Sequence, residues 1–235
     1  MEFAKIYAPS LKDLFIRQLE DMILSGKLEI GTQLPSEREL SEKMCVSRTI
    51  VNAGIAEMAG KGFLDIRPRV GVFVNDFRRQ GKVGAILSIM NYNGGSLRRA
   101  EIRSILEIRM AFDLLSIDLI VDKATDAEIE TLEPFLEKLK EGEDPSSCAK
   151  SLFEFHHELC LITQNTLLPL IYSSFSIPII SLWERYCRLY GCRNVYLSTL
   201  KTYTLVKERK GSEAKMWTMQ YFRAILDGPK QIYGE

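Results

Sequence analysis

The sequence predicts a mainly α-helical protein in two parts: three helices and a β-hairpin come first, and an antiparallel all-α helical bundle follows. Two features of the apolar pattern support this prediction. Between residues 11 and 61 apolar side chains recur at helical spacing, and over residues 63–74 they alternate with polar ones, as in strands. Beyond residue 77 apolar side chains again recur at helical spacing, through all the remaining predicted segments.

The first two helices are marked by their N-terminal caps. Residues 11–24 carry an apolar stripe on one face, and Ser10 precedes them as a candidate N-cap. Ser36 and Glu39 stand three residues apart, which is the spacing of a capping box in which each side chain satisfies a backbone N–H. A short second helix is therefore predicted just after Pro35.

The third helix and the hairpin follow without a long loop. The helix is predicted from about Arg48 to Lys61, with Ser47 as its N-cap. Residues 63–67 and 72–74 then form two short predicted strands, joined by a turn that contains proline and glycine. This order of helices and hairpin is that of a winged helix-turn-helix, although short helices and a hairpin also occur in many unrelated folds.

The second part begins after a polar, basic junction at residues 78–83, which we predict to be a linker between domains at 1–77 and 84–235. All of its segments have helical period. The expected helices lie near 82–91, 96–122, 125–141, 146–164, 167–190, 196–209 and 212–226.

Local signals refine these helices. Ser96 is predicted to cap the long helix that follows it, and Thr125 with Glu128 forms another capping box. Pro178 lies inside the helix predicted at 167–190, so we expect a kink in the middle of that helix.

The composition excludes several classes of protein. The chain holds 31 basic and 31 acidic residues, for a formal net charge of zero, and is 46% hydrophobic, which is not typical of disordered chains. No apolar run reaches the roughly 20 residues of a membrane span, and the N-terminus does not have the pattern of a signal peptide. Five dispersed cysteines argue against a disulfide framework, so a cytoplasmic protein without membrane contacts is expected.

A more specific pattern runs through residues 23–74. It consists of Ile23-x-x-Gly26, Gly31-x-x-Leu34-Pro35-Ser36-Glu37-Arg38-Glu39-Leu40, Val46-Ser47-Arg48-Thr49, Lys61-Gly62-Phe63 and Gly71-x-Phe73-Val74. This pattern resembles the DNA-binding domain of the GntR family of bacterial regulators, and the helical second half resembles the effector domain of its FadR subfamily. The resemblance implies a homodimer that binds a double-stranded DNA operator with an inverted repeat.

The resemblance also implies which residues meet the DNA. Arg48 and Thr49 begin the third helix, and the N-terminus of a recognition helix enters the major groove, where arginine can bind guanine O6 and N7. Arg38 could instead pair with Glu42, and Arg69 could contact only solvent. The expected DNA-binding residues are Arg38, Ser47, Arg48, Thr49, Asn52, Arg69 and Gly71, the last because it would let the wing backbone approach the minor groove.

The chain departs from the family pattern in the third helix. Members usually carry proline, arginine and glutamate after the S-R-T triplet, where this chain has Ile50, Asn52 and Ala53. Gly54 costs about 1 kcal/mol of helix stability relative to alanine. Residues 1–77 hold ten bases and eleven acids, so binding depends on where the charges lie and should be strongly sensitive to salt.

A metal site is implied for many effector domains of the subfamily, which hold a divalent cation by an aspartate and three histidines. The first two of these ligands have the spacing D-x-x-F-H. Phe155 and His156 match this pattern, but Leu152 stands at the aspartate position and no histidine follows His157. No metal and no other cofactor are therefore expected.

The metal-free branch of the subfamily includes acyl-CoA-binding proteins, and the segment 182–190 resembles their pocket-lining helix. The resemblance implies a small anionic metabolite in the helical domain: an acyl-CoA, a fatty acid or a carboxylate. The candidate ligand-binding residues are Arg109, His156, Trp183, Arg185 and Tyr190, and each of them could instead belong to the core or to a solvated face.

The sequence favours a bacterial transcriptional regulator whose operator affinity this metabolite controls, by shifting the relative pose of the DNA-binding domains through the linker. Two alternatives are a constitutive dimeric DNA-binding protein without an effector and a metal-dependent carboxylate sensor. An enzyme is not expected, because the sequence contains no nucleophile-plus-base pairing and no glycine-rich phosphate loop.

Overall fold

The structure is a computed structural model that describes residues 9–91 and 99–233. The chain forms two compact units, Met1–Ser96 and Leu97–Glu235. The described residues are 72% helical and contain one two-stranded antiparallel sheet, which confirms the predicted fold class. In the part of the chain that the structure describes, no helix is both long and apolar enough to cross a membrane.

The first unit begins its helices at the predicted caps. Ser10 and Ser36 each form a capping box, and the Ser47 hydroxyl accepts a hydrogen bond from the backbone N–H of Ile50 at 3.3 Å. Its elements are α1 Leu11–Leu24, α2 Glu37–Lys43, α3 Arg48–Lys61, β1 Leu64–Arg67, β2 Gly71–Val74, α4 Phe77–Gln80 and α5 Val83–Asn91.

The core of this unit forms where α1 packs against α3. Gly54 allows the two helices to approach closely, because a Cβ atom at this position would lie 2.4 Å from Cδ1 of Phe15. Gly54 thus lowers the intrinsic helix stability of α3 but permits its close packing against α1. The buried apolar residues are Phe15, Ile16, Leu19, Ile23, Leu34, Leu40, Val51, Ile55, Met58, Phe63, Leu64, Val74 and Ala85.

The β-hairpin forms the wing. Strands β1 and β2 pair in an antiparallel register that places Leu64 opposite Val74 and Arg67 opposite Gly71. The segment before α2 joins its edge, since the side chain of Gln33 donates a hydrogen bond to the carbonyl of Val70 at 3.0 Å. The predicted winged helix-turn-helix is therefore present.

The predicted linker at 78–83 belongs instead to the first unit. Ala85 of α5 is only 3% exposed and lies in the core of that unit. Ser88 donates a hydrogen bond to the buried carboxylate of Glu20 at 2.6 Å, and Lys61 donates to the same oxygen at 3.0 Å. The boundary between the two units therefore lies after the end of α5, because α5 buries apolar and polar groups against α1 and α3.

The second unit is a helical bundle in which α9 packs along α11 and α6 packs along α13. Arg103 of α6 donates two hydrogen bonds to Asp227, at 2.8 and 3.0 Å. The capping box of Thr125 and Glu128 is confirmed, while the predicted cap at Ser96 lies outside the described residues. The elements are α6 Arg99–Lys123, α7 Asp126–Glu130, α8 Glu133–Glu141, α9 Pro145–Leu161, α10 Leu168–Ser174, α11 Ser176–Tyr190, α12 Cys192–Lys207 and α13 Gly211–Leu226.

Two segments predicted as single helices are each divided beside a proline. The segment 125–141 forms α7 and α8, because Pro134 has no N–H to continue the hydrogen bonding of the preceding helix. In the segment 167–190, α10 ends at Ser174, four residues before Pro178, and the proline ring cannot be accommodated against that carbonyl in a continuous helix. The expected kink is thus a break.

Candidate nucleic-acid interface and buried cavity

The recognition surface is the exposed face of α3. Val51, Ile55 and Met58 are buried on one side of this helix. Thr49 and Asn52 are exposed on the other side, together with Ala53 and Ala56. The helix therefore presents short, largely neutral side chains over most of its outer face.

The N-terminus of α3 concentrates the polar groups of this surface. Ser47 is occupied as the N-cap, and Arg48 and Thr49 are exposed immediately after it. A helix N-terminus carries a partial positive charge and unpaired N–H groups, which favour a phosphate. Arg48 adds a full positive charge at the same place, so this end of α3 has the chemistry of a DNA contact.

Arg38 lies on the neighbouring helix α2. It pairs with Glu42 at 3.7 Å, which is the ion pair that the sequence offered as the alternative to a DNA contact. Both side chains are about two-thirds exposed, at 68% and 64%. A pair of this kind contributes at most about 1 kcal/mol. The pairing is therefore too weak to prevent Arg38 from contacting a phosphate.

The two arginines of the wing have different surroundings. Arg67 pairs with Asp65 at 2.8 Å and lies 4.4 Å above the ring of Phe73. Arg69 lies in the exposed turn with a positive φ of 64°. Gly71 is the first residue of β2 rather than the tip of the turn, and its missing Cβ leaves room for the side chain of Gln33.

The second unit contains a cavity of about 30 Å³, with space for about two water molecules. Helices α6, α9, α11, α12 and α13 all contribute to its wall. The wall combines aromatic rings with hydroxyl groups and three ionisable side chains. The lining residues are Arg109, Asp113, Ile117, His156, Leu159, Trp183, Ser198, Thr199, Thr202, Trp217, Thr218, Tyr221 and Phe222.

Three ionisable side chains meet at this cavity. Arg109 and Asp113 are one turn apart on α6, with Nη2 and Oδ2 3.6 Å apart, and are only 3% and 8% exposed. His156 of α9 places Nδ1 3.2 Å from the other carboxylate oxygen of Asp113. The two atoms are at ion-pair distance, but Nδ1 makes no hydrogen bond.

The protonation states follow from burial and charge. Burial lowers the pKa of His156 and outweighs the opposing attraction of Asp113. Burial opposes ionisation of Asp113, but the positive charges of His156 and Arg109 together hold the pKa of its carboxyl below the usual value. Since arginine stays protonated, the charged groups of the cavity at neutral pH are the guanidinium of Arg109 and the carboxylate of Asp113.

Several buried polar atoms around the cavity lack a hydrogen-bond partner. Nε of Arg109 and Nε1 of Trp183 are two such donors, and the guanidinium carbon of Arg109 lies 4.1 Å from the centre of the Trp183 ring. The hydroxyl of Tyr172 is also unpartnered, and burial raises its pKa, so it stays protonated. Buried donors without partners cost free energy unless a water or ligand satisfies them.

Two of the residues proposed as ligand contacts do not line the cavity. Arg185 is two residues beyond Trp183 on α11, which turns it toward a different side of the helix, and it is only half-buried. Tyr190 donates its hydroxyl to the carbonyl of Gln231 at 2.7 Å. The structure brings together Arg109, His156 and Trp183.

The residues that the sequence argument did not identify are Asp113 and the hydroxyl groups of α12 and α13. Asp113 stands four residues after Arg109, and this spacing of opposite charges on one helix face was the available signal. The carboxylate beside His156 comes from Asp113, whereas Leu152, at the family's aspartate position, is 1% exposed in the core. The hydroxyl-bearing residues gave no comparable pattern.

The donor set does not fit a divalent metal. Within the described residues there is no group of three or more His, Cys, Asp or Glu side chains that could hold a metal ion. Only Asp113 and His156 supply ligands of these types to the cavity wall, and serine and threonine hydroxyls are poor ligands for Zn²⁺ or Ni²⁺. The guanidinium of Arg109 also already supplies a positive charge beside Asp113.

Two family models match the chain, one for each unit. The model for bacterial regulatory proteins of the gntR family matches residues 14–74, which include α2, α3 and the wing. The model for the FCD domain matches residues 104–197, from within α6 into α12.

Similar proteins agree with these matches. The HTH-type transcriptional regulator Mce2R of Mycobacterium tuberculosis is 27% identical over 146 residues, which are 62% of this chain and 60% of that protein. The HTH-type transcriptional regulator LutR of Bacillus subtilis is 26% identical over 148 residues, 63% of this chain and 65% of its own. The matched region thus spans less than two thirds of each of these relatives.

A solved structure shares the fold. The protein is Lar, which controls the expression of the Listeria monocytogenes agr system and mediates virulence. It superposes with a TM-score of 0.62 at 14% identity, covering 94% of this chain and 97% of that one. At this identity the likeness concerns the fold alone.

Proposed function

Since the chain belongs to the GntR family of bacterial regulators and carries an FCD domain, we propose that it is a cytoplasmic DNA-binding transcriptional regulator that responds to a small anionic metabolite. The observation that carries the DNA-binding part is the exposed N-terminus of α3, where Arg48 and Thr49 follow the Ser47 cap. The similar proteins are named as transcriptional regulators and not as enzymes.

The mode of DNA binding follows from this surface. Arg48 enters the major groove with α3, Asn52 reads a base one turn further along, and Arg38 and Arg69 contact phosphates on either side. A homodimer would present two such surfaces to an inverted repeat, because the symmetry of the protein and of the operator must agree.

The cavity supports a small carboxylate as the effector. An acyl-CoA, or a fatty acid with a long chain, is far larger than a space of about 30 Å³, whereas a carboxylate of a few carbons requires only that some of the lining side chains move aside. A carboxylate of a few carbons can accept hydrogen bonds from Nε of Arg109 and Nε1 of Trp183, two donors that lack partners. The hydroxyls of Thr199, Thr202 and Thr218 can meet polar groups on the rest of the ligand.

The DNA-binding proposal is tested with the tightest-binding fragment selected from random-sequence DNA. Arg48→Ala should weaken binding of that fragment about 10- to 100-fold, the effect of losing one bidentate base contact. Arg17→Ala removes the same charge from the exposed side of α1, while α1 buries Phe15 and Ile16. Equal affinity of the Arg48 and Arg17 variants for the selected fragment would contradict the proposed reading surface.

The effector proposal is tested by calorimetric titration with acetate, lactate and succinate. Trp183→Phe keeps the ring but removes the unpartnered N–H, so we expect about a 10-fold loss of affinity for the carboxylate that binds. Trp217→Phe is the matched control, because its N–H lines the same cavity but already donates to the carbonyl of Ser198 at 3.3 Å.

Three results would contradict the effector proposal. They are equal affinity in the two tryptophan variants, binding that depends on an added divalent metal, and operator affinity that no carboxylate changes. The last would favour a constitutive DNA-binding protein.

A further inference from the structure

The chain continues beyond α13 as a short segment without helix or strand, residues 227–233, which we call the strap. Two backbone hydrogen bonds fold the strap back along the last turns of α13. The N–H of Lys230 donates to the carbonyl of Ala224 at 3.1 Å, and the N–H of Ile232 donates to the carbonyl of Ile225 at 3.3 Å. Both distances exceed the most common value of about 2.9–3.0 Å, so this backbone attachment is not a strong one.

The strap points one side chain into the helical unit. Ile232 is 1% exposed, whereas Gln231 before it is exposed and Tyr233 after it is half-buried. Among residues 227–233, Ile232 is the one buried side chain. The strap therefore forms an outer layer over the bundle at this place, and Ile232 is its apolar anchor.

Ile232 covers a small void of about 10 Å³ next to the cavity, a volume at the lower limit for one water molecule. Arg109 and Trp183 line both the void and the cavity, so this pair, with the guanidinium carbon 4.1 Å from the ring centre, lies between the two. The rest of the void wall is apolar and consists of Ile105, Leu106, Ile179, Leu182 and Ile225. On this side of the bundle, Ile232 thus separates the Arg109–Trp183 pair from solvent.

Two side-chain contacts of the strap lie at the surface. Asp227 accepts two hydrogen bonds from Arg103, and these side chains are 59% and 43% exposed. The carbonyl of Gln231 accepts a hydrogen bond from the hydroxyl of Tyr190. Surface contacts of this kind contribute little to stability, because water competes for the same groups. A segment held by surface contacts and one buried side chain belongs to the parts of a protein that open locally without global unfolding.

We propose that the strap is a gate to the cavity: when it detaches, Ile232 leaves the void and a small solute reaches Arg109 and Trp183 from solvent. With the strap attached, both of these side chains are only 3% exposed. They also carry the unpartnered donors to which the proposed function assigns the carboxylate of the effector. Opening of such segments controls the rates of ligand binding and release, so the gate, which in this respect rests on the proposed function, sets how fast the effector enters and leaves.

The two tryptophans of the chain allow a direct test, because the indole N–H of each exchanges with D₂O at a rate that follows how often water reaches it. NMR of the ¹⁵N-labelled full chain, without DNA or effector, measures both rates, and Trp217→Phe assigns the two signals. Ile232→Ala should raise the exchange rate of Trp183 at least about 10-fold, because it removes most of the apolar area that anchors the strap. The indole of Trp217 lines the same cavity but donates to the carbonyl of Ser198, and it should keep its rate.

Two further variants weaken the strap without altering the void. Neither Arg103 nor Tyr190 lines the void or the cavity, and Arg103→Ala and Tyr190→Phe should each raise the exchange rate of Trp183 about 2- to 5-fold. The matched control is Lys215→Ala, which breaks another ion pair between α13 and α6, to Asp118 at 2.6 Å, and leaves the strap intact. This control should not change the rate of Trp183. Circular dichroism melts establish that each variant is folded.

Three results would overturn the gate. They are a Trp183 that exchanges in the wild type as fast as free indole, strap variants that leave its rate unchanged, and an equal rise for Trp217 or in Lys215→Ala, which would indicate a loosened bundle. Because the measurement uses neither DNA nor a carboxylate, its failure is distinct from failure of the proposed function. Strap variants that behave as expected in a protein that binds no carboxylate would contradict only the effector, and a carboxylate sensor with unchanged rates would contradict only the gate.

Discussion

Replacing Gly54 by alanine should destabilise the first unit, although alanine is the better helix former. The intrinsic preference favours alanine by about 1 kcal/mol. The new Cβ would lie 2.4 and 2.6 Å from two ring carbons of Phe15, about 1 Å or more inside the usual carbon–carbon contact of about 3.5–4.0 Å. Phe15 is 2% exposed and has no space to withdraw. Overpacking of this kind costs about 1–3 kcal/mol, and the severity of the overlap places it at the upper end, so the expected net loss is about 1–2 kcal/mol.

Gly60 provides the matched control for this substitution. It lies in the same helix, and no atom lies within 4 Å of the position where its Cβ would be. Gly60→Ala should therefore stabilise the unit by up to about 1 kcal/mol. Calorimetric unfolding of the full chain, with hydrogen exchange of α1 and α3 to assign the transition, should separate the two variants by roughly 10 °C at about 4–8 °C per kcal/mol. If Gly54→Ala were as stable as Gly60→Ala, the steric account of the α1–α3 contact would be refuted.

Two further predictions concern buried ionisable groups. Because burial lowers the pKa of His156, the unfolded chain binds more protons than the folded one as the pH falls below about 6.5. The folded state therefore loses free energy of unfolding as the pH falls below that value. Thermal melts between pH 7.5 and 5 should show a smaller drop in melting temperature for His156→Gln than for the wild type. Equal drops in the two proteins would contradict this. Glu20→Gln should cost about 1–2 kcal/mol, because Lys61 loses a charged partner at a 9% exposed site. The control Glu57→Gln changes a 37% exposed partner of Lys61 and should cost less than about 1 kcal/mol, and urea unfolding titrations of the two variants and the wild type measure both losses.

Local signals predicted the first unit well. Its caps are formed by side chains that bond to backbone groups three residues away, and its helices and strands each have a distinct apolar period. The docking of α5 was not predictable in this way, since Ser88 and Glu20 are 68 residues apart and neither position stands out in the sequence. The junction at 78–83 is polar because it is short and exposed, and not because it separates two domains.

The cavity was predictable only in part for a related reason. A resemblance can indicate Arg109 and Trp183 as individual positions, but the side of α11 that Arg185 faces depends on how the whole helix packs. Side chains two positions apart on a helix point roughly 160° away from each other, so Trp183 and Arg185 cannot both face one cavity. The partner of His156 comes from α6, 43 residues earlier in the chain, and only the packed bundle brings the two together.

The attachment of α5 decides where this protein can be divided. A fragment that ends at residue 77 would remove Ala85 from an apolar core and would leave the carboxylate of Glu20 without its Ser88 donor. A stable DNA-reading module should instead extend through Asn91, the last residue of α5. Exchanging helical domains between regulators of this kind would then require a junction after α5, so that the DNA-binding unit keeps the helix that completes its hydrophobic core.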